Sequence, residues 1–237
     1  MRLLTGILLA GLLVSGCAAR ADQPGSTGIA VLLDLTGSTA AVRERYLADF
    51  ARVLDGTRDG DHLYVVPISA DSLVEPVAVD IAFPRASWLQ NRVFKARRRN
   101  AAKKDALSRV EALLKSPSAD RRAGSAIIDG LERAADLLQP YEQRCVVVIS
   151  DMIEQSELAD FSARSADMDA TLASVKERAA SLGAQVYVVG VTNGAGDPPL
   201  TSARVREIRA FWTGFFTERG CALEAYGPDL TAFRSGP

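Results

Sequence analysis

Two apolar runs that each end in an aspartate constrain the fold of this chain more than any other feature. The first reads IAVLL and ends in Asp34, and the second reads CVVVIS and ends in Asp151. Near-continuous apolar runs of this length are typical of strands that are covered on both faces in a parallel sheet. We therefore expect the two carboxylates at the carboxyl edge of one sheet.

Segments with strand and helix patterns alternate along the rest of the chain. Strands are predicted at residues 27–34, 61–69, 74–83, 145–150, 185–191 and 222–226. Helices are predicted at residues 39–54, 124–138, 170–182 and 201–217, with one or two more between 85 and 115. This alternation predicts an α/β fold, a doubly wound, mostly parallel central sheet of about six strands with helices on both faces. The 237 residues, 48% of them hydrophobic, are enough for one large domain at 27–237.

The N-terminus has the pattern of a secretory signal. A short basic start precedes an apolar stretch and then small residues, and the stretch is too short for a comfortable membrane span. Its end, VSGC, resembles the lipobox of bacterial lipoproteins, which implies that residues 1–16 are removed, Cys17 is lipidated and residues 17–26 form a tether. By resemblance to Gram-negative lipoproteins, Ala18 indicates the periplasmic face of the outer membrane. The alternative is an ordinary cleaved signal with a chance cysteine.

Two cysteines remain in the predicted domain, Cys145 and Cys221. Both lie near the starts of predicted strands, and a compartment outside the cytoplasm would allow them to form a disulfide. The expected strand order places one strand between them, so two buried thiols are the alternative. The sequence leaves this choice open.

Five oxygen-bearing residues are candidates for a metal site. If the first and fourth strands are neighbours, Asp34 and Asp151 start from backbones about 4.8 Å apart. Two carboxylates that close repel each other unless a cation or a shared proton lies between them. Thr36, Ser38 and Ser125 would add hydroxyl oxygens. A set of hard oxygen ligands without His or Cys suits Mg²⁺, or Mn²⁺ in its place.

This set resembles the metal-ion-dependent adhesion site of von Willebrand factor type A domains. That family carries Asp-x-Ser-x-Ser after strand one, a Thr before a later helix and an Asp after strand four. Here the first motif is DLTGS, with Thr36 for the first Ser, and Ser125 stands for the later Thr. Asp151 is followed by Met152 where the family commonly has Gly, so we expect a differently shaped loop. The resemblance spans residues 27 to 226.

The resemblance implies a function as well as a fold. In that family the metal keeps one coordination position open, and an Asp or Glu of a partner protein commonly completes it. It therefore implies a domain that is not an enzyme, that binds a divalent metal, and that binds an acidic group on a protein partner through the metal.

A structural interpretation of the same residues remains open. Ser38 and Ser125 could be helix N-caps, and Asp34 and Asp151 could be turn formers at strand ends. The protein would then be a structural lipoprotein without a metal.

A phosphatase is the second alternative. The motif DLTGS also resembles the Asp-x-Thr-Gly-Thr loop of haloacid-dehalogenase-like phosphatases, in which Asp34 would be the nucleophile and a later Asp would hold Mg²⁺. Such an enzyme also needs a lysine, for which Lys115 or the pair at 103–104 is available.

A basic run occupies residues 92–104, which contain seven Lys or Arg. A solvated helix face is the default expectation for such a run, and contact with anionic lipid head groups or an acidic partner is the functional one. A formal net charge of −1 and the expected location outside the cytoplasm argue against a nucleic-acid partner. The only histidine, His62, opens a predicted strand and is expected to be half-exposed.

Overall fold

The computed structural model describes residues 26–85, 91–116, 124–163, 166–176, 181–191 and 200–235. The strands are β1 (Thr27–Asp34), β2 (His62–Ile68), β3 (Val79–Ala82), β4 (Gln143–Ile149), β5 (Gln185–Val189) and β6 (Ala222–Gly227). The helices are α1 (Arg43–Gly56), α2 (Arg92–Leu114), α3 (Ile127–Leu138), α4 (Met168–Lys176) and α5 (Ser202–Glu218), with a short 3-10 helix (Gly37–Val42) before α1. The predicted signal peptide and Cys17 lie outside the described residues, as does the tether up to residue 25.

The strands form one sheet in the order β3-β2-β1-β4-β5-β6. All neighbours are parallel except β3, which runs antiparallel to β2 at one edge. The chain starts in the middle of the sheet and its order reverses between β1 and β4, which is the doubly wound arrangement. The predicted fold class is therefore confirmed, including the pairing of the first and fourth strands.

Helices cover both faces of the sheet. Helices α3, α4 and α5 contribute to the hydrophobic layer on one face, which includes Ala30 and Leu32 of β1. Helices α1 and α2 contribute to the layer on the other face, which includes Ile29, Val31 and Leu33. Both layers close within residues 27–233, so a chain that begins at residue 18 keeps every element of the fold. None of the helices in the described ranges is long and apolar enough to cross a membrane.

Several elements begin later than the sequence pattern predicts. Strand β3 covers only Val79–Ala82 rather than residues 74–83, and Pro76, which has no amide hydrogen, lies in the part that does not pair. The helix expected from residue 39 begins as the 3-10 helix and becomes α-helical at Arg43. Helix α3 begins at Ile127 rather than residue 124.

The histidine and the two cysteines are also placed by the sheet. His62 is only 7% exposed, so the expectation of a half-exposed side chain is wrong. Its ring stacks on Tyr64 and its Nε2 bonds to Asp80 of the neighbouring β3. Cys145 and Cys221 are free thiols. Cys145 lies in β4 and Cys221 directly precedes β6, and β5 lies between these two strands.

Candidate functional site

The register of the sheet brings the ends of β1 and β4 to the same level. Leu33 pairs with Ile149, so Asp34 stands level with Ser150, and Asp151 follows. Asp34 is fully buried, and Asp151 is 8% exposed. Two carboxylates therefore end neighbouring parallel strands at the carboxyl edge of the sheet.

Neutral donors surround the carboxylate of Asp34. Its Oδ1 accepts hydrogen bonds from the amide (3.0 Å) and the hydroxyl (2.7 Å) of Thr36. Its Oδ2 accepts from the hydroxyls of Ser150 (2.7 Å) and Ser125 (3.4 Å). Burial raises the pKa of Asp34, and these hydrogen bonds oppose that effect. The hydrogen bonds that the structure gives this carboxylate thus come from uncharged groups.

A tight loop before α3 carries Ser125 into this cluster. Gly124 has a φ of +79°, and a Cβ built on it would lie 2.7 Å from the carbonyl oxygen of Gln155, so only glycine fits there. The amides and carbonyls of Ser125 and Gln155 then bond to each other in both directions (2.9 and 3.0 Å). The Ser125 hydroxyl points to Asp34 and lies 3.2 Å from the hydroxyl of Thr36.

Ser125 is not the N-cap of α3. That position is Ala126, which makes no side-chain capping bond. The buried Glu154 caps the helix instead, because its Oε2 accepts from the amides of Ile127 (2.8 Å) and Ile128 (3.1 Å). The hydroxyl of Ser125 therefore remains directed at the Asp34 cluster.

The residue after Asp151 keeps a conformation that usually belongs to glycine. Met152 has a φ of +65°, the one positive φ of a non-glycine residue in the described chain. Its side chain is fully buried, and its carbonyl accepts a hydrogen bond from the Trp212 indole (2.9 Å). This packing holds the left-handed backbone that costs a non-glycine residue about 1–2 kcal/mol. Met152 therefore has the left-handed backbone that glycine favours, although its side chain is not glycine's. The Oδ1 of Asp151 also accepts from the Ile153 amide (3.0 Å), a turn-forming bond.

Tyr46 brings a third polar group to the site from α1. Its side chain is fully buried, and its hydroxyl has no hydrogen-bond partner among the described residues. Burial raises the pKa of the phenol well above its usual value, and the charges of Asp34 and Asp151 raise it further. Gly190 allows the approach of this ring, since a Cβ there would lie 2.7 Å from the ring.

The oxygen atoms of the cluster are spaced as the ligands of a small cation would be. Adjacent ligands of an octahedral Mg²⁺ at about 2.1 Å lie about 3.0 Å apart. The hydroxyl of Ser125 lies 3.2 Å from that of Thr36 and 3.4 Å from Asp34 Oδ2. The buried hydroxyl of Tyr46 fits as well, because its oxygen could accept a hydrogen bond from a water ligand of such an ion. The residues present therefore fit a hard divalent cation.

The candidate set holds two carboxylates and takes its remaining oxygens from hydroxyls. In keeping with this, the described ranges contain no group of three His, Cys, Asp or Glu side chains arranged to hold a metal. Asp34, Thr36 and Ser125 are joined by direct contacts, and Asp151 directly follows Ser150, whose hydroxyl bonds to Asp34. The backbone of Ser38 lies in the 3-10 helix, and its side chain lies outside the described part of the structure.

Sequence reasoning missed two residues of this cluster, Ser150 and Tyr46. Ser150 immediately precedes Asp151, and the pairing of β1 with β4 that the sequence predicted would have placed it level with Asp34. Tyr46 belongs to the apolar spacing of α1, which indicated the core but not the position of its hydroxyl.

The lysines that the phosphatase interpretation requires bond elsewhere. The ammonium of Lys103 lies 3.4 Å from Asp55, near the end of α1 and thus at the opposite edge of the sheet. Lys115 bonds to Glu111 one turn back on α2. Lys104 is exposed on α2. These positions count against a phosphoryl-transfer site at Asp34.

A cleft of about 900 Å³ opens beside the Ser125 loop. Gly124 and Gln155 line it, and four carboxylates give it a strongly acidic wall: Asp71, Asp129, Glu157 and Asp160. The surface around the candidate site is therefore one that repels an acidic group unless a cation is bound.

No protein-family model and no curated protein matches this chain. Its fold is similar to that of the pilus adhesin SpaC from Lactobacillus rhamnosus GG in an open conformation, with 12% identity over 88% of this chain and a TM-score of 0.52. The PilB minor pilin from Streptococcus sanguinis is similar over 85% of this chain, with 10% identity and a TM-score of 0.50. A mussel byssus protein, proximal thread matrix protein 1 with a zinc-occupied MIDAS motif, matches over 78% with 16% identity and a TM-score of 0.40. The chain spans 28%, 57% and 39% of these three proteins, respectively. The first two similarities support the α/β fold.

Proposed function

We propose that this protein is a binding module of the von Willebrand factor type A kind, which holds a divalent metal and binds an acidic group on a partner protein through it. The metal ligands would be the five residues of the motif: Asp34, Thr36, Ser38, Ser125 and Asp151. The preferred ion is Mg²⁺, with Mn²⁺ as a substitute, because carboxylate and hydroxyl oxygens are hard ligands.

The observation that carries this proposal is the environment of Asp34. Its carboxylate is fully buried at the end of the strand next to the one that leads into Asp151, and its hydrogen bonds come from uncharged donors. Burying carboxylates without a counter-charge is costly, and a bound divalent cation supplies that charge. The spacing of the Ser125 and Thr36 hydroxyls fits the same ion.

The acidic wall of the cleft explains why the binding would depend on metal. Asp71 and Asp129 lie beside the Ser125 loop, so the approach of a partner carboxylate is unfavourable in their field. A bound Mg²⁺ would neutralise Asp34 and Asp151 and would offer a coordination position to the partner carboxylate. Ser125 and Thr36 would hold the ion through their hydroxyls.

Titration with Mn²⁺ tests the metal site directly. We expect the chain beginning at residue 18 to bind one Mn²⁺, seen as loss of the free-ion electron paramagnetic resonance signal, and Mg²⁺ to displace it. The matched control is Asp71→Asn, which removes one negative charge from the same edge and should retain binding. Asp151→Asn, which removes a proposed ligand, should lose Mn²⁺ binding. If the wild type shows no saturable binding, or if Asp71→Asn and Asp151→Asn lose Mn²⁺ binding equally, the structural interpretation stays in place.

Partner binding is tested by capture from the cell envelope of the source bacterium. The Mg²⁺-loaded domain should retain a protein that chelator releases, and Asp34→Ala should not retain it. A partner that is held equally with and without chelator would contradict binding through the metal while leaving the metal site itself intact.

The proposed location is the cell envelope, with lipid on Cys17 holding the domain on the periplasmic face of the outer membrane. The sequence VSGC at the end of the apolar stretch supports it. We expect the full chain to stay in the membrane fraction of Gram-negative cells through a high-salt wash, and the same wash to release a cleaved Cys17→Ala protein into the soluble periplasmic fraction. A cleaved Cys17→Ala protein that stays with the membrane to the same extent would contradict the lipid anchor.

A further inference from the structure

The basic run of the sequence divides into two sets on helix α2. Lys95 and Arg99 turn towards the body of the domain and bond to Asp59, in the connection between α1 and β2. Lys103 lies one turn further along the same face, 3.4 Å from Asp55. These three residues are spaced by four, so they share one side of the helix. All three therefore bond to carboxylates of the fold, Asp59 being shared by two of them.

The other side of the same turns faces solvent and combines cations with apolar groups. This outward face of α2 is defined by Val93, Phe94, Arg97, Arg98 and Lys104, which fall within about 140° of the helix circumference at 100° per residue. Val93 is 60% exposed and Phe94 57%, two of the four large hydrophobic residues exposed in the described chain.

The cations of the outward face meet no acidic group in the part of the chain that the structure describes. Arg97, Arg98 and Lys104 are exposed, and none of them bonds to a described carboxylate. One acidic residue, Asp105, is exposed within the same sector, and its carboxylate bonds to Arg109 (2.9 Å). The face therefore presents a positive charge with an exposed aromatic ring at its centre.

This face lies at the same edge of the sheet as the start of the domain. Arg99 bonds to the carbonyl of Thr57 and to Asp59, in the connection that leads into β2. The Oδ1 of Asp61, two residues on, accepts from the Thr27 amide (3.4 Å), the first residue of β1. The other end of α2 is far away, since the Leu114 carbonyl contacts Arg43 beside the carboxyl edge (3.3 Å).

We propose that the outward face of α2 binds the surface of an anionic lipid bilayer. Lys and Arg side chains near such a surface are attracted to the lipid phosphates, and Phe94 and Val93 can enter the interfacial layer between them. The face combines exposed cations with exposed apolar side chains, which suits a bilayer surface better than a folded acidic partner. The described chain begins at Ser26, at this same edge of the sheet, so a lipid-anchored N-terminus would hold the face near the bilayer. The Asp34 cluster lies at the opposite edge.

Sedimentation with vesicles tests this inference without the metal site or the lipid on Cys17. The chain beginning at residue 18 should bind vesicles of phosphatidylglycerol mixed with phosphatidylcholine, and not vesicles of phosphatidylcholine alone. The triple variant Arg97→Gln, Arg98→Gln, Lys104→Gln should bind about 100-fold more weakly, from about fivefold per charge. Phe94→Ser should bind about tenfold more weakly, and salt should weaken the wild type.

A charge-matched variant controls for the loss of net charge. Lys115→Gln, Arg206→Gln and Arg209→Gln together remove three cations from other exposed positions, and this protein should bind the anionic vesicles as the wild type does. Equal weakening of the two triple variants would overturn the assignment to this face. Wild-type binding that is equal for vesicles with and without phosphatidylglycerol would overturn anionic lipid as the occupant. A concentration-dependent dimer that is lost in the Arg97, Arg98 and Lys104 triple variant would assign the face to a second copy of the chain.

Discussion

Replacing Asp34 with asparagine is expected to abolish the stabilisation of the domain by Mg²⁺. At a free Mg²⁺ concentration about 100 times its Kd, the wild type should gain about 2.7 kcal/mol of stability. For a domain of this size that corresponds to a rise in Tm of about 5–10 °C. Loss of a carboxylate ligand should lower the affinity by at least about 100-fold, since even outer-shell partners contribute about 10–100-fold. The variant should show almost no shift in a thermal melt.

Without Mg²⁺, the wild type should not be more stable than the Asp34→Asn variant. Burial raises the pKa of Asp34, so the ionised carboxylate is less favourable in the folded protein than in the unfolded chain. Between the ordinary pKa and the raised one, the folded state binds more protons, so the stability of the metal-free protein falls as pH rises. At alkaline pH the uncharged Asp34→Asn variant should therefore melt no lower than the wild type without metal.

These opposite signs make the Asp34 experiment decisive. A purely structural Asp34 would give a variant that melts lower with and without Mg²⁺, by the same amount. A metal ligand gives a variant that loses only the Mg²⁺ response. In the wild type that response should also weaken on acidification, because protons compete with the metal for the carboxylate. Asp71→Asn is again the control for removing a charge.

The fold could be predicted from sequence because its signals are local. The apolar run of β1 is buried along its whole length, and alternation with helices left few arrangements other than a doubly wound sheet. Element ends were less predictable, since they depend on contacts across the fold. Ser125 pairs with Gln155 rather than starting α3, and no pattern near residue 124 indicates that bridge.

The candidate site could be predicted in its strand-end aspartates but not in its surroundings. Asp34 and Asp151 follow from where two strands end. The part played by Ser150 depends on the register of β1 against β4, and the part played by Tyr46 depends on how α1 packs against Gly190. The two sides of α2, by contrast, were already present in the spacing of Lys95, Arg99 and Lys103, which a helical wheel would have separated from Arg97.

Glu154 provides the second large effect, a pH-dependent stability that its replacement with glutamine should remove. The carboxyl group is fully buried at the start of α3, and burial raises its pKa from 4.5 to about 8, against the opposing hydrogen bonds from the amides of Ile128 and Ile127. Its Oε1 has no hydrogen-bond partner among the described residues. The protonated form is therefore the one that the fold favours.

The sign follows from proton uptake. Between about pH 4.5 and pH 8 the folded protein holds a proton on Glu154 that the unfolded chain has released, so this residue lowers stability as pH rises through that range. Each unit of pKa difference corresponds to about 1.4 kcal/mol, so the change amounts to a few kcal/mol. Glu154→Gln cannot titrate, and its carbonyl can still accept from the amides of Ile127 and Ile128.

Chemical denaturation at about pH 5 and about pH 8.5 measures the difference. Glutamine places an amide group where Oε1 had no partner, at a cost of about 1–3 kcal/mol that is the same at both pH values. The quantity to compare is therefore the difference in the free energy of unfolding between wild type and variant. From the lower to the higher pH, this difference should shift by a few kcal/mol in favour of the variant. Glu157→Gln, an exposed neighbour with the same change in charge, should show no such movement. A difference that stays constant would mean that Glu154 is ionised in the fold and caps α3 as a carboxylate, and α3 would then begin with a buried negative charge beside the proposed metal.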